Sequence, residues 1–381
     1  MANGSVRRKG KVWSFVVDLG PDPASGRRRQ ARRSGFTTKK AAESALRDLA
    51  TSADAGTAVA RSRVTVSAFL TSWLDTIRPR VRETTWVSYE IAVQRITRQI
   101  GAVQLQTLTP LQVESLYATL LERGGAGGRS LAPKTVRNCH IVLRRALADA
   151  ERLGLVTRNP AAAAKAVSAP RAEQRTWTAE EIQRFFEAVA GERLSIAFVL
   201  LATTGMRRGE VLGLRWEDVD FDARALSIVQ TLTTVSNRLH IGPPKTGKSR
   251  RRVSVDSVTL EALKEHRTRQ LEERLAAADV WSNEGDLVFA DELGGPVHPD
   301  RFSRSFDRIV RDAELPRIRL HDLRHSYATL AQKAGVHPKV VSERLGHSTI
   351  AITLDLYSHV AQGLDADAAE LVAARIYGRA R

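Results

Sequence analysis

Leu320-His-Asp-Leu-Arg-His-Ser-Tyr-Ala-Thr-Leu330 sets His321 and Arg324 three residues apart, so on a helix they share one face. Two more stretches of the same half carry chemically capable side chains in tight local patterns. Ala202-Thr-Thr-Gly-Met-Arg-Arg-Gly-Glu-Val-Leu-Gly-Leu-Arg-Trp216 reads as a helix, a glycine break and a new helix opening at Arg207, with Glu210 three residues on. Leu345-Gly-His-Ser-Thr-Ile-Ala-Ile-Thr-Leu-Asp-Leu-Tyr357 places a tyrosine ten residues after His347. Taken singly, each has an ordinary explanation: a salt-bridged arginine, a satisfied core histidine, a tyrosine in a packed helix.

Between them lies Gly242-Pro-Pro-Lys-Thr-Gly-Lys-Ser249, which fits the phosphate-loop pattern G-x-x-x-x-G-K-S letter for letter. A working phosphate loop leaves a buried strand and opens a helix, so that backbone N–H groups converge on the phosphates. Here Asn237-Arg-Leu-His-Ile241 precedes it, and Arg250-Arg-Arg-Val-Ser-Val255 follows, alternating like a strand. Two prolines also remove N–H donors. The better reading is a β-hairpin with a basic tip around Lys245.

Outward from these stretches the chain falls into three segments. Residues 1–58 open with Lys11-Val-Trp-Ser-Phe-Val-Val-Asp-Leu19, whose alternation puts Trp13, Phe15 and Val17 on one face of a strand. A turn at Gly20–Gly26, a basic strand and a helix with Ala41, Ala42, Leu46 and Leu49 at core spacing follow, and the segment is taken as a small three-stranded sheet backed by one helix, two of its strands being legible in the pattern. This segment, with its linker to residue 60, holds 12 Lys or Arg against 5 Asp or Glu, so +7 of the chain's +17 sits here. An arginine-edged β-ribbon fits the major groove of DNA. Residues 64–161 read as an all-α bundle of four or more short amphipathic helices, with aromatic stripes at Phe69, Trp73, Trp86 and Tyr89 belonging to its core. Gly56–Arg63 and Asn159–Pro170 read as linkers. Residues 172–381 mix helices with a few short strands, beginning at a capping box, Thr178-Ala-Glu-Glu181. They end in an amphipathic stretch, Asp365 to Tyr377, that reads as a C-terminal helix. The fold class is therefore multidomain, with the third domain mixed α+β and mostly helical.

A net charge of +17 and a pI near 10.6 favour a polyanionic partner. No apolar run approaches the roughly 18–20 residues of a membrane span, and the N-terminus lacks a secretory leader's apolar stretch, which points to the cytoplasm and away from membranes. The single cysteine, Cys139, excludes an intramolecular disulfide and reads as a buried small hydrophobe.

The four stretches in this order resemble the tyrosine recombinases, the phage-integrase family, over the whole third segment. The motifs are Thr-Gly-x-Arg-x-x-Glu, His-x-x-Arg, Leu-Gly-His and the tyrosine ten residues beyond. The resemblance implies that Arg207 and Arg324 are the two catalytic arginines, Lys245 the hairpin lysine, His321 and His347 the two histidines, and Tyr357 the nucleophile. Lys245 is favoured over Lys248 because the family's Lys-Thr pair falls at Lys245-Thr246. Glu210 takes the acidic position, orienting a neighbour or serving structure alone. The basic first segment resembles that of integrases from temperate phages and integrative elements. It implies an arm-type DNA-binding domain ahead of a helical, SAM-like core-binding domain and the catalytic domain. The expected partners are double-stranded DNA at core and arm sites, a tetramer of the chain itself, and an excisionase or host DNA-bending protein.

The residue types suit the chemistry. Only about 0.1% of a free phenol is ionised at pH 7, so Tyr357 needs a proton acceptor, a role His321 can fill. Two guanidiniums give paired N–H bonds to the non-bridging phosphate oxygens, a geometry lysine cannot match, and preorganised donors of this kind contribute about 3–4 kcal/mol each. Lys245 can protonate the leaving 5′ oxygen, and His347 completes the phosphate cage. With cations doing this work, neither Mg²⁺ nor another cofactor is expected, and the phosphotyrosine bond makes ATP unnecessary. Arg208, Arg215, His325 and Arg344 remain structural or DNA-backbone contacts. The rival readings are a resolvase of DNA dimers, which would not need residues 1–58, a catalytically silent DNA-binding regulator, and an ATP-driven nucleic-acid enzyme built on the phosphate-loop match.

Overall fold

We describe the protein from a computed structural model, which covers residues 4–21, 28–54, 62–170, 175–244, 249–282, 284–347, 349–357, 370 and 372–378. The chain divides into two units, Met1–Arg171 and Ala172–Arg381.

In the first unit, β1 (Gly4–Lys9), β2 (Val12–Pro21) and β3 (Arg28–Phe36) form an antiparallel sheet in that order, backed by α1 (Lys39–Asp54). Pairing fixes the faces. Val6 lies opposite Phe15, while Arg7 lies opposite Ser14 and Arg32 opposite Val16. Phe15 and Val17 are buried, and Phe15 stacks on Phe36 at 5.7 Å. Because side chains alternate between faces along a strand, Arg7 and Arg32 share the opposite, exposed face. The helix contributes Ala42 to this small core with Leu46 and Leu49 half buried, whereas Ala41, expected there, is exposed. One helix on a narrow sheet covers it with a thinner stripe than the sequence spacing allows.

The helical part of the same unit contains α2 (Val66–Ile77), α3 (Glu83–Ile100), α4 (Pro110–Arg123) and α5 (Pro133–Arg152). Thr109 caps α4 with a reciprocal bond pair to Gln112, and Pro110 occupies the first turn, where its missing N–H costs nothing. Phe69, Leu70, Trp73 and Leu74 all enter the core, and Cys139 is fully buried beside them. Trp73 finds Asp149 for its indole N–H at 2.8 Å, and Tyr117 meets His140 Nδ1 at 2.8 Å, so the buried polar tips are satisfied.

The linker expected over Asn159–Pro170 is structured in its first half. Asn159 caps a short helix, α6 (Pro160–Ala163), and donates through Nδ2 to Arg144 O at 2.8 Å, while Ala161 and Ala164 pack into the bundle core. Small side chains that look featureless in sequence here fill a tight surface. The Gly56–Arg63 linker lies largely outside the described residues.

The second unit begins with α7 (Ala179–Val189), opened by the Thr178–Glu181 capping box. Next comes α8 (Ser195–Thr204), which is apolar nearly all round and runs through the core. Phe185, Phe198, Phe302, Phe306 and Trp177 form that core, with Phe198 and Phe302 stacked at 4.3 Å. After α9 (Arg208–Leu212) come β4 (Val219–Asp220), β5 (Ala225–Ile228), β6 (Thr231–Val235), β7 (Arg238–Gly242) and β8 (Arg251–Ser254). The helices α10 (Ser257–Ala277), α11 (Pro299–Asp312), α12 (Asp322–Lys333), α13 (Pro338–Leu345) and α14 (Ile350–Tyr357) complete the unit.

One strand pairing differs from the sequence reading. β7 does not pair with β8; it pairs with β6 through a tight turn in which Ser236 and Asn237 both have positive φ. β8 instead completes a sheet with β5, where buried Val253 faces buried Leu226. The segment around Lys245 thus joins two separate sheets, and residues 245–248 themselves are outside the described residues. A strand, not a helix, follows the phosphate-loop pattern. No helix among the described residues is long and apolar enough to cross a membrane.

Candidate active site

Two glycine corners build the site. α8 ends at Gly205 in the left-handed region (φ +67), where a Cβ would strike Leu345 and Tyr327, and the chain turns directly into Arg207. α13 ends at Gly346 (φ +63), where a Cβ would press on Arg251, and the next residue is His347. A residue with a side chain is strained in this backbone region, so both corners need glycine.

Arg324, in the first turn of α12, joins the corners. Its Nη1 donates to Gly205 O at 2.6 Å and its Nη2 to Leu345 O at 2.5 Å, and only 4% of the residue is exposed. Arg207 reaches the second corner from the other side, donating through Nη2 to Gly346 O at 3.1 Å, with its side chain 37% exposed. Glu210 is 3% exposed and holds Arg207 twice, accepting from its backbone N–H at 2.9 Å and from Nη1 at 2.7 Å.

Glu210 also accepts two bonds from Arg251, at 3.1 Å from Nη1 and 2.9 Å from Nη2. Burial pushes its carboxyl up, but the Arg251 and Arg207 bonds and charges outweigh this and hold it below the ordinary value. Burial, reinforced by Arg207, pushes Arg324 down to about 9, which leaves it charged at neutral pH.

His321 stands at the N-cap position of α12 without a side-chain cap bond and is exposed, its ring edge-on to His325 at 5.3 Å. The protein packed around it and the nearby His325 and Arg324 charges push it down to about 4. His347 Nδ1 meets the Thr353 hydroxyl at 2.8 Å, and burial followed by the Arg324 and Arg207 charges pushes it down to about 3. Thr353 is buried on α14, one helical turn before Tyr357, the last residue of that helix. The Tyr357 side chain is outside the described residues, as is Lys245.

Of the six expected site residues, Arg207, Arg324 and His347 come together through direct bonds or shared corners, and His321 adjoins Arg324 in sequence and in charge. The other marked residues serve the frame. Arg208 bonds Pro299 O and Ser303, Arg215 grips Asp218, and Arg344 joins the Tyr327 hydroxyl at 2.7 Å to Ser254 O. His325 is half buried, with an unpartnered Nδ1. No group of His, Cys, Asp and Glu among the described residues is arranged to hold a metal ion. Sequence reading missed Arg251. The available signal was its alternation with Val253 on one face of β8, since an arginine on an inward face demands a carboxylate.

Residues 175–363 match the phage integrase family, residues 5–53 an arm DNA-binding domain, and residues 65–121 the N-terminal SAM-like domain of phage integrases. A XerC-like tyrosine recombinase of Caldanaerobacter subterraneus subsp. tengcongensis is 32% identical over 343 residues, 85% of this chain and 86% of that protein. The chain belongs to the phage integrase family of tyrosine recombinases. The recombinase also has the fold of the Tn1549 transposon integrase solved with circular intermediate DNA, with a TM-score of 0.68 at 22% identity over 81% of this chain and 99% of that one. A lambda integrase tetramer bound to a Holliday junction matches over 93% of this chain and 94% of its own, with a TM-score of 0.57 at 17% identity. The family reading of the sequence and the multidomain fold class both stand.

Proposed function

We propose that this site-specific DNA recombinase cleaves and rejoins DNA through Tyr357, integrating and excising a phage or mobile element. The observation that carries the assignment of roles is the fastening of Arg207, Arg324 and the His347 corner into one cationic cluster beside the helix that ends in Tyr357.

In this reading Arg207 and Arg324 grip the non-bridging oxygens of the scissile phosphate. A neutral His347 carries one ring proton. With the Thr353 hydroxyl donating to Nδ1, that proton sits on Nε2 and is available to a phosphate oxygen. The Tyr357 phenol passes its proton to His321 as its oxygen attacks phosphorus. The bond to the 5′ oxygen breaks, Lys245 protonates that oxygen, and a 3′-phosphotyrosine remains. Attack by a 5′ hydroxyl reverses these steps, so bond energy is conserved and no nucleotide is consumed.

Residues 1–58 bind arm sites, residues 64–161 and 172–381 bind the core site, and four protomers exchange strands in the cytoplasm, aided by an excisionase or a DNA-bending protein. The test is an adduct assay on attachment-site DNA, in EDTA and without ATP. Wild type forms a covalent protein–DNA adduct that maps to Tyr357, and Tyr357→Phe forms none. Tight binding without an adduct, even on nicked DNA that traps cleavage, overturns the reading in favour of a silent DNA-binding regulator.

A further inference from the structure

We propose that Arg251 is a positioning residue for strand cleavage, the second cation of a clamp that stops Glu210 from neutralising Arg207. This rests on the recombinase reading above and adds a residue outside the six that the family motifs mark.

Arg251 points inward from β8 with only 7% of its side chain exposed, and spends both Nη groups on Glu210. A carboxylate that faced Arg207 alone would close into a neutral pair at the place where a phosphate must bind. With Arg251 present, two guanidiniums bond one carboxylate and the Arg324 guanidinium stands within its electrostatic reach, so the charge left over is +2. Arg207 then needs only one Nη1 bond to stay oriented. Among the described residues its side chain makes only that bond and the Nη2 bond to Gly346 O, so three of its five N–H donors remain for substrate.

Arg251 is also a mechanical link. Its Nε donates to Arg344 O at 2.5 Å and its Nη1 to Ser249 O at 3.1 Å, and its side chain lies against Gly346. One side chain therefore fastens the strand that follows Lys245, the Arg207–Glu210 pair and the corner before His347. These are three pieces of the site that the chain order keeps apart.

Single-turnover cleavage of nicked core-site DNA tests this, with DNA binding and thermal unfolding measured on the same proteins: wild type, Tyr357→Phe, Arg251→Lys, Arg251→Met and the double variant Arg251→Met/Glu210→Gln. Arg251→Met slows cleavage about 100-fold, the scale of a misplaced catalytic group, while core-site affinity stays near wild type. Removing the Glu210 charge as well recovers about tenfold, a coupling expected of contacting charges. Arg251→Lys, which keeps the charge but not the two-pronged bond, falls between wild type and Arg251→Met, and it carries the test should Arg251→Met fail to fold. The proposal is overturned if Arg251→Met or Arg251→Lys cleaves at the wild-type rate, if binding falls as far as cleavage, or if the double variant is no faster than Arg251→Met. A wild-type protein that forms no adduct overturns the recombinase reading instead.

Discussion

Arg324 shows why arginine, and not merely positive charge, occupies its position. Desolvating a cation costs several kcal/mol, and here the cost is offset by two backbone carbonyls that meet a planar fork at the spacing the fork provides. Burial, reinforced by the same cations, keeps the nearby histidines neutral. His321 and His347, at about 4 and about 3, sit below the ordinary 6.5, and His325, His140 and His266 are lowered too, in each case chiefly by burial. Between those folded values and 6.5 the unfolded chain binds more protons than the folded one, so stability falls as pH drops through that window and is unaffected above it. Melting temperatures measured from pH 7 to pH 4 will therefore fall, and His347→Asn will fall less steeply than wild type. Parallel curves would contradict the assigned shift. At this scale the sequence marks side chains that recur at motif spacing, such as Arg207, His321 and Arg324. It is silent on the Gly205 and Leu345 carbonyls and on Arg251, because those bonds exist only once distant loops meet.

At the scale of elements, periodicity locates most helices and strands because each must bury one stripe, as Phe15 with Val17 and Phe69 with Trp73 illustrate. Partners are harder to read. The alternation of Arg250–Val255 is satisfied equally well by β7 or β5, and the turn at Ser236–Asn237 decides it by giving β7 to β6. Asn159–Ala163 misleads for a related reason, since alanines carry no pattern until a surface requires small side chains. The sheet β1–β2–β3 offers a sharper test. Arg7 and Arg32 share its exposed face. Replacing each by Ala will weaken binding to arm-site DNA and lower the slope of log affinity against log salt by about 1 for every phosphate no longer neutralised. Titrations at several salt concentrations give that slope, and an unchanged slope would place the DNA elsewhere.

For the whole molecule, the excess charge lies almost entirely in the first unit, which holds the segments that match the arm DNA-binding and SAM-like domains, while the segment that matches the phage integrase family is close to neutral. A protein lacking residues 1–58 will still form the covalent adduct on a short core site but will lose recombination that depends on arm sites. Full recombination by the truncated protein would support a dimer resolvase instead. The order in which the site's parts are encoded has a further result. Arg324 bonds a carbonyl 119 residues behind it, and Arg207 bonds one 139 residues ahead. Contacts of such long range form late and slowly in folding. On a ribosome adding about 5–20 residues each second, several seconds separate the emergence of Arg207 from that of Gly346. A nascent chain caught in that interval has its DNA-binding segments already made but no assembled means of cutting, so the power to break DNA arises only after the Gly346 corner has emerged.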